Sequence, residues 1–167
     1  MKWLNSSSPG LVLRYTTEHV LSPIGKRYLG SADHPIRPKI AYMFENRDRN
    51  TLWWRVSTSK IGDFKRVVRS WCARRARIAF REALKNQGYD ELGIPLPDSP
   101  KAQTRRLTGS LEILFHPKCV NQSSETLQRD TDRCLEEILQ RREKFSNREP
   151  NREPKRPRKH SGPSHGQ

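Results

Sequence analysis

The residues of this chain with the clearest chemical use are a series of arginines between positions 63 and 85. The segment reads DFKRVVRSWCARRARIAFREALK, and a rotation of about 100° per residue separates its side chains into two helical faces. Basic residues occupy one face: Arg66, Arg74, Arg77, Arg81 and Lys85. A guanidinium presents five donors in a rigid fork that matches phosphate oxygens. The pattern therefore predicts binding of an anion, with nucleic acid as the favoured partner, and not a reaction.

The other face of this segment is apolar and is predicted to be buried. It carries Phe64, Val67, Val68, Trp71, Cys72, Ile78 and Ala79. We expect a helix that begins at Asp63 as its N-cap, runs to Lys85 and ends at Gly88. Glu82 falls on the apolar side near Arg75 and therefore away from the basic face. Ion pairs between acidic and basic side chains four residues apart in the helix do not account for the basic face. The alternative interpretation is an ordinary amphipathic helix whose charged face meets only water.

A second candidate contact lies in Thr51–Ser57, which is predicted to be a strand. Its alternation directs Leu52, Trp54 and Val56 inward and places Trp53 and Arg55 on the opposite face. Tryptophan on an open sheet face can stack on an unpaired base, and the arginine beside it can hold phosphate. The alternative is that Trp53 packs beneath the N-terminal segment.

Composition also favours a polyanion as the partner. The chain has 167 residues, 33 Lys and Arg against 18 Asp and Glu, and a formal net charge of +15. A positive field of this size speeds association with polyanions and makes binding depend on salt. Only 32% of the residues are hydrophobic, which indicates a small core with disordered ends. No apolar run is long enough to span a membrane.

Catalytic and metal-binding patterns are missing from the sequence. There is no glycine-rich phosphate loop and no nucleophile elbow, so we expect no enzyme activity, no catalytic residues and no cofactor. The three cysteines are widely spaced; Cys72 and Cys134 fall on apolar helical faces and are predicted to pack in the core as free thiols. His116 and Cys119 have ligand-like spacing, but no second pair completes a metal site.

The remaining elements predict a small α+β domain. Lys39–Phe44 is predicted to be a strand that forms a β-hairpin with residues 51–57, across a polar loop at 46–50. Leu107–His116 is predicted to be a third strand, with Leu111, Ile113 and Phe115 on one face. Residues 124–144 are predicted to form a second helix with an apolar stripe of Leu127, Thr131, Cys134, Leu135 and Ile138. The order β-β-α-β-α gives a three-stranded sheet with an arginine-rich helix.

Three regions follow from this assignment. Residues 1–31 form an N-terminal segment, predicted to be a short helix over residues 10–20 or a mitochondrial transit peptide, because only one acid precedes Asp33. Residues 32–145 form the domain. Residues 146–167 contain no Val, Ile, Leu, Met, Phe, Tyr or Trp and are predicted to be a disordered basic tail. Its basic cluster resembles a nuclear localisation signal: Lys155, Arg156, Arg158 and Lys159. We expect an intracellular protein, with the nucleus favoured and the mitochondrial matrix as the alternative.

The stretch from Leu52 to Arg141 resembles the bacterial ribonuclease P protein subunit. That family has strands, an arginine-rich helix introduced by a Ser-Lys-containing turn, a strand and a last helix. Matching features are the turn at residues 59–62, Val67-Val68-Arg69, Arg74, Arg77, Ala79-Phe80 and the strand LEILFHP. The sequence departs from the family at Ser70-Trp71 and Ala73, where the family has Asn-Arg and Lys. The resemblance implies RNA contact through Arg69, Arg74 and Arg77 without catalysis by the protein.

Nucleic acid, with RNA favoured over DNA, is therefore the expected partner. Two other functions fit the same residues: a protein-interaction module whose arginine face docks on an acidic partner, and a nuclear DNA-binding protein.

Overall fold

The computed structural model describes residues 2–97, 99 and 105–146, and these form an α+β fold with a four-stranded mixed sheet. The elements, in chain order, are β1 Leu4–Ser7, β2 Leu11–Thr16, α1 Pro23–Gly30, α2 Arg37–Glu45, β3 Leu52–Ser57, α3 Arg66–Asn86, β4 Gly109–Phe115 and α4 Ser124–Ser146. Single 3-10 turns at Ser59–Ile61 and Pro117–Asn121 precede α3 and α4.

The sheet has the order β1-β2-β4-β3, so β4, the last of these strands in the sequence, lies in the interior of the sheet. β1 pairs antiparallel with β2, and β2 pairs antiparallel with β4. β3 pairs parallel with β4, from Leu52↔Gly109 to Ser57↔Leu114. Parallel neighbours need a long crossover, and α3 supplies it.

The core lies between one face of the sheet and the pair α3 and α4. Alternate residues of the strands point into it: Leu11, Leu13, Tyr15, Leu52, Leu111, Ile113 and Phe115 are all buried. Phe80 and Leu84 of α3 and Leu135 and Ile138 of α4 meet them from the helices. The period-two pattern of the strands and the stripes of the helices thus close one hydrophobic core.

Two glycines with positive φ set the ends of elements. Gly88 (φ 83°) follows α3, and the amides of Gly88 and Tyr89 donate to the carbonyls of Lys85 and Leu84. This is the Schellman arrangement, and it confirms the prediction that Gly88 terminates the helix from a position just past its last residue, Asn86. Gly109 (φ 106°) begins β4, where an added Cβ would lie 2.2 Å from the carbonyl oxygen of Thr16.

The prediction of a helix over residues 10–20 is wrong. Residues 11–16 form β2, and Leu11, Leu13 and Tyr15 are buried in alternation. This alternation was readable in LVLRYT, and period two indicates a strand. Because β1 and β2 lie in the sheet, residues 4–16 belong to the same folded unit as the later strands, and Leu11, Leu13 and Tyr15 lie in its core.

The prediction of a β-hairpin from residues 39–44 and 51–57 is also wrong. Residues 39–44 lie in α2, where Pro38 is tolerated in the first helical turn. Ile40 and Phe44 are four positions apart, so they share the inner side of this helix, whereas Tyr42 is exposed. The sheet consequently has four strands instead of three, and β3 pairs with β4.

The predictions for the other elements hold with small shifts. β3 begins at Leu52, β4 runs over residues 109–115, and α4 covers residues 124–146 with its predicted apolar stripe buried. α3 begins at Arg66 instead of after Asp63. Its N-cap residue, Lys65, makes no side-chain capping bond.

Candidate nucleic-acid interface

α3 is rotated relative to the prediction, and this changes which side chains reach solvent. Its inner face consists of Cys72, Ala73, Ala76, Ala79, Phe80, Ala83 and Leu84. Val67, Trp71 and Ile78 were predicted to be buried but are 79%, 48% and 56% exposed. Small alanines occupy the contact because helix packing distance depends on side-chain size, and α3 packs against both α4 and the sheet. Only part of the predicted apolar face, including Cys72 and Ala79, is confirmed.

Three of the predicted arginines line one open groove. Arg66, Arg69 and Arg77 stand along the side of α3 that faces the end of β3, with Val56 and Thr58 on the opposite wall. Ser70 and Ala73 complete the lining, and the groove has a volume of about 370 Å³. We call these three side chains the arginine groove.

The charge of the arginine groove is not neutralised within the described residues. None of its three guanidiniums forms an ion pair with a carboxylate there. Arg69 Nε is buried and has no hydrogen-bond partner in that part of the chain. A buried donor without an acceptor costs free energy, and an anionic oxygen in the groove would supply the acceptor. The first turn of α3 has no acidic side chain, so the positive end of the helix dipole adds to the field.

The other three basic residues of the predicted face lie away from the groove. Arg74, Arg81 and Lys85 are exposed on the outer side of α3. Arg81 Nε lies 3.0 Å from Glu91 Oε1, so an acid beyond the end of the helix pairs with one residue of this face. Arg75, which was predicted beside Glu82, instead stacks on Trp71, with its guanidinium carbon 4.4 Å from the ring centroid.

Trp53 is on the predicted face of β3 but is not open to a base. It is only 5% exposed, and its ring meets His19 and Phe44 edge-on, at centroid distances of 4.5 and 5.4 Å. The guanidinium carbon of Arg47 lies 4.5 Å from the centroid of the Trp53 ring, and Trp53 Nε1 donates to the Asp48 carbonyl. The structure therefore agrees with the alternative of a packed indole. His19 belongs to the N-terminal segment of that prediction, whereas Phe44 and Arg47 follow it in the chain.

Arg55 is engaged by an acid that sequence reasoning missed. Its Nη2 lies 2.8 Å from Glu112 Oε1, and Arg14 Nη1 lies 3.9 Å from the other carboxylate oxygen. The three residues are direct neighbours across β2, β4 and β3. Arg14 was missed because its segment was assigned to a helix; the alternation in LVLRYT would have placed it on this face. Arg55 is thus a weaker candidate for phosphate than the arginine groove.

The cysteines lie in the core, and Cys72 and Cys134 are buried as predicted. Cys119 Sγ lies 4.0 Å from Cys72 Sγ. Burial, followed by the proximity of Cys72, raises the pKa of the Cys119 thiol to about 12; burial also raises the pKa of Cys134. Within the described residues no group of three or more His, Cys, Asp and Glu side chains could hold a metal ion.

Some predictions fall outside what the structure describes. The proposed localisation signal, from Lys155 to Lys159, lies beyond residue 146 and outside the described residues. Among the described helices, none combines the length and apolar character required to cross a bilayer.

Comparison of the chain with models of protein families, with curated protein sequences and with solved structures finds no match.

Proposed function

We propose that this chain is a nucleic-acid-binding protein that holds backbone phosphates in the arginine groove. The observation that carries this proposal is the convergence of Arg66, Arg69 and Arg77 on one open groove without a neutralising carboxylate in the described residues. Phosphate contacts from arginine are charge-assisted and can be bidentate. The net charge of +15 supports the proposal because it draws polyanions to the molecule from a distance.

RNA is the nucleic acid that we propose. Two of the three residues that the resemblance to the ribonuclease P protein subunit implies as RNA contacts, Arg69 and Arg77, lie in the arginine groove, and the third, Arg74, does not. The order of β3, α3, β4 and α4 is the order that the resemblance implies. In this role the protein would be a component of an RNA–protein particle without catalytic residues of its own.

The nucleus is the compartment that we propose. The basic cluster at residues 155–159 supports it. A cleaved transit peptide over residues 1–31 is hard to reconcile with the fold, because its removal would delete β1 and β2 and three buried core residues, Leu11, Leu13 and Tyr15.

The test is replacement of Arg66, Arg69 and Arg77 by glutamine in the full chain. The probe is a fluorescent single-stranded RNA of about 20 nucleotides, a length that exceeds the groove and a typical single-strand site. We expect the Kd to rise at least about tenfold. The slope of log K against log salt should flatten by about two units, because each phosphate contact that forms on a single strand releases roughly 0.7 counterion and three such contacts are removed. Binding is measured by fluorescence anisotropy from 50 to 300 mM salt, roughly the range in which this effect is large.

A matched control removes three positive charges elsewhere. Arg129, Arg133 and Lys144 are exposed on α4, so their replacement by glutamine lowers the net charge equally without touching the groove. If both triple variants lose the same affinity and the same slope, the arginine groove is not the binding site. If duplex DNA binds more tightly than the RNA and depends on the groove, the partner is DNA.

A further inference from the structure

The outer side of α3 carries a row of side chains spaced as in a helix-pairing seam. Val67, Trp71, Arg74, Ile78, Arg81 and Lys85 follow one another at intervals of 4, 3, 4, 3 and 4 residues. A 4-3 spacing keeps side chains on one narrow stripe facing a partner helix. We call these six residues the outer seam; it extends about 27 Å along the helix at 1.5 Å per residue.

The outer seam has two chemically different parts. Its first part presents large apolar side chains, because Val67, Trp71 and Ile78 remain 79%, 48% and 56% exposed. Its second part is basic and contains Arg81 and Lys85, with Arg74 between Trp71 and Ile78. Trp71 is held in place by Arg75, whose Nη2 donates to the Gln122 carbonyl at 2.6 Å while its guanidinium stacks on the indole. The seam therefore offers a pre-positioned aromatic anchor beside a run of positive charge.

We propose that the outer seam binds an acidic amphipathic helix of another protein. Apolar side chains of such a helix would cover Val67, Trp71 and Ile78, and its carboxylates would meet Arg74, Arg81 and Lys85. Tryptophan and arginine are the residue types that most often dominate protein interfaces, and apolar anchors on a helix face are how amphipathic helices are recognised. Glu91, which pairs with Arg81, is exposed and can be displaced by a carboxylate of the partner.

Other occupants fit the seam less well. A second copy of the chain would bring the same basic residues against each other, which like-charge repulsion opposes. Nucleic acid could use the arginines and stack a base on Trp71, but Val67 and Ile78 have no aromatic ring or donor with which to contact bases or phosphates. The apolar part of the seam is therefore explained by protein and not by the RNA that we propose for the arginine groove.

The test places a photo-crosslinker beside the seam of the full chain, so that Trp71 is kept. Glu82 is exposed and lies one helical turn from Ile78 and Lys85; the variant Glu82→p-benzoylphenylalanine is expressed in the source cells and irradiated, and the adduct is sequenced by mass spectrometry. We expect a protein segment with apolar residues at 4-3 spacing and Asp or Glu at the following seam positions. The same crosslinker at the exposed Gln140 of α4 is the control and should not yield this segment.

Binding of the synthetic peptide of that segment then tests the mechanism. Two variants of the protein, Trp71→Ala and the double variant Arg74→Glu with Arg81→Glu, should each raise the Kd for the peptide by about tenfold or more. Replacing the acidic residues of the peptide that face Arg74 and Arg81 by lysine should restore its binding to the double variant. The glutamine variant of the arginine groove should bind the peptide as the parent does, which separates this proposal from RNA binding. Three results would each overturn the proposal: adducts only to RNA or to a second copy, no adduct at residue 82, or a peptide Kd that the seam variants leave unchanged.

Discussion

Arginines of one helix differ in what surrounds them, and their surroundings decide what each can bind. Arg69 has a buried Nε without an acceptor among the described residues, Arg75 is stacked on Trp71 and Arg81 is paired with Glu91. An unpaired guanidinium in a groove can accept an anion at once, whereas a paired one must first give up its partner. The residues that we rank first for phosphate are therefore those of the arginine groove.

The buried thiol Cys119 makes stability depend on pH in the alkaline range. Its pKa of about 12 in the folded protein lies above its ordinary value of 9.0. Between these pH values the unfolded chain loses a proton that the folded chain keeps, so the free energy of unfolding falls as pH rises. Tyr15 and Tyr89, whose pKa values are raised above 10.0 by burial, act in the same direction from about pH 10.

We expect the free energy of unfolding to decline from about pH 9 upward, by at most about 1.4 kcal/mol per pH unit for each proton. Urea titrations under reducing conditions at pH 7.5, 9 and 10 would measure it. Cys119→Ala should lower stability at all pH values and remove the part of the slope that begins near pH 9. An unchanged slope in this variant would assign the effect to Cys134, whose pKa burial also raises from 9.0.

At the scale of the element, α3 shows how a helix can be assigned correctly and oriented wrongly. The predicted inner face differs from the observed one by about 100°, one residue position. Hydrophobicity favours Val67, Trp71 and Ile78 as the inner face, but close packing against α4 and the sheet selects the small residues Ala76 and Ala83. Large side chains at those contacts would separate the layers.

A pair of substitutions tests this orientation. Phe80 is fully buried and packs against Trp54 at a centroid distance of 5.0 Å, so Phe80→Ala should lower the free energy of unfolding by about 3–5 kcal/mol. Trp71→Ala should lower it by less than about 1 kcal/mol, because an exposed indole loses mainly its contact with Arg75. Chemical denaturation followed by circular dichroism compares the two, and the reverse order of effects would show that α3 is oriented as the sequence predicts.

The local hydrophobic pattern was sufficient to predict β3, β4 and α4, because the apolar periodicity of each element contrasts clearly with the polar or proline-containing turns that flank it. It failed for residues 39–44, where Ile40, Tyr42 and Phe44 fit a strand by alternation, and Ile40 and Phe44 equally fit one side of a helix. Pro38 lies in the first turn of α2, where proline is tolerated, and is the local signal that favours the helix. The arginines of the groove can be predicted from the sequence of α3. The opposite wall, Val56 and Thr58, cannot, because it depends on how β3 packs beside α3 and no pattern in the local sequence indicates that packing. Glu112 was unreadable as a partner of Arg55 until the strand order was known.

At the scale of the whole molecule, the basic tail and the folded part are expected to act separately. Truncation after Ser146 should leave the free energy of unfolding unchanged, because residues 147–167 contain no Val, Ile, Leu, Met, Phe, Tyr or Trp that could enter a core. The same truncation should weaken RNA affinity and reduce its salt dependence.

A fluorescent fusion of the full chain should accumulate in the nucleus and lose that accumulation when Lys155, Arg156, Arg158 and Lys159 are replaced by glutamine. Its control is Lys2, Lys26 and Arg27→Gln, which alters exposed N-terminal charges while retaining β1 and β2. Mitochondrial signal in the parent, lost in this N-terminal variant, would contradict the nuclear assignment.

The position of β4 has a consequence for the time at which the fold can form. β2 cannot form its pairing with β4 until β4 has been synthesised, because Leu11 pairs with Phe115 and Thr16 with Ser110. The two strands lie about a hundred residues apart in the sequence. At a synthesis rate of roughly 5–20 residues per second, the N-terminal hairpin leaves the ribosome several seconds before its neighbour exists. During that interval Leu11, Leu13 and Tyr15 have no core to enter, and one edge of β2 is unpaired. A nascent chain that stops before residue 109 is therefore a species that a chaperone must hold or that aggregates.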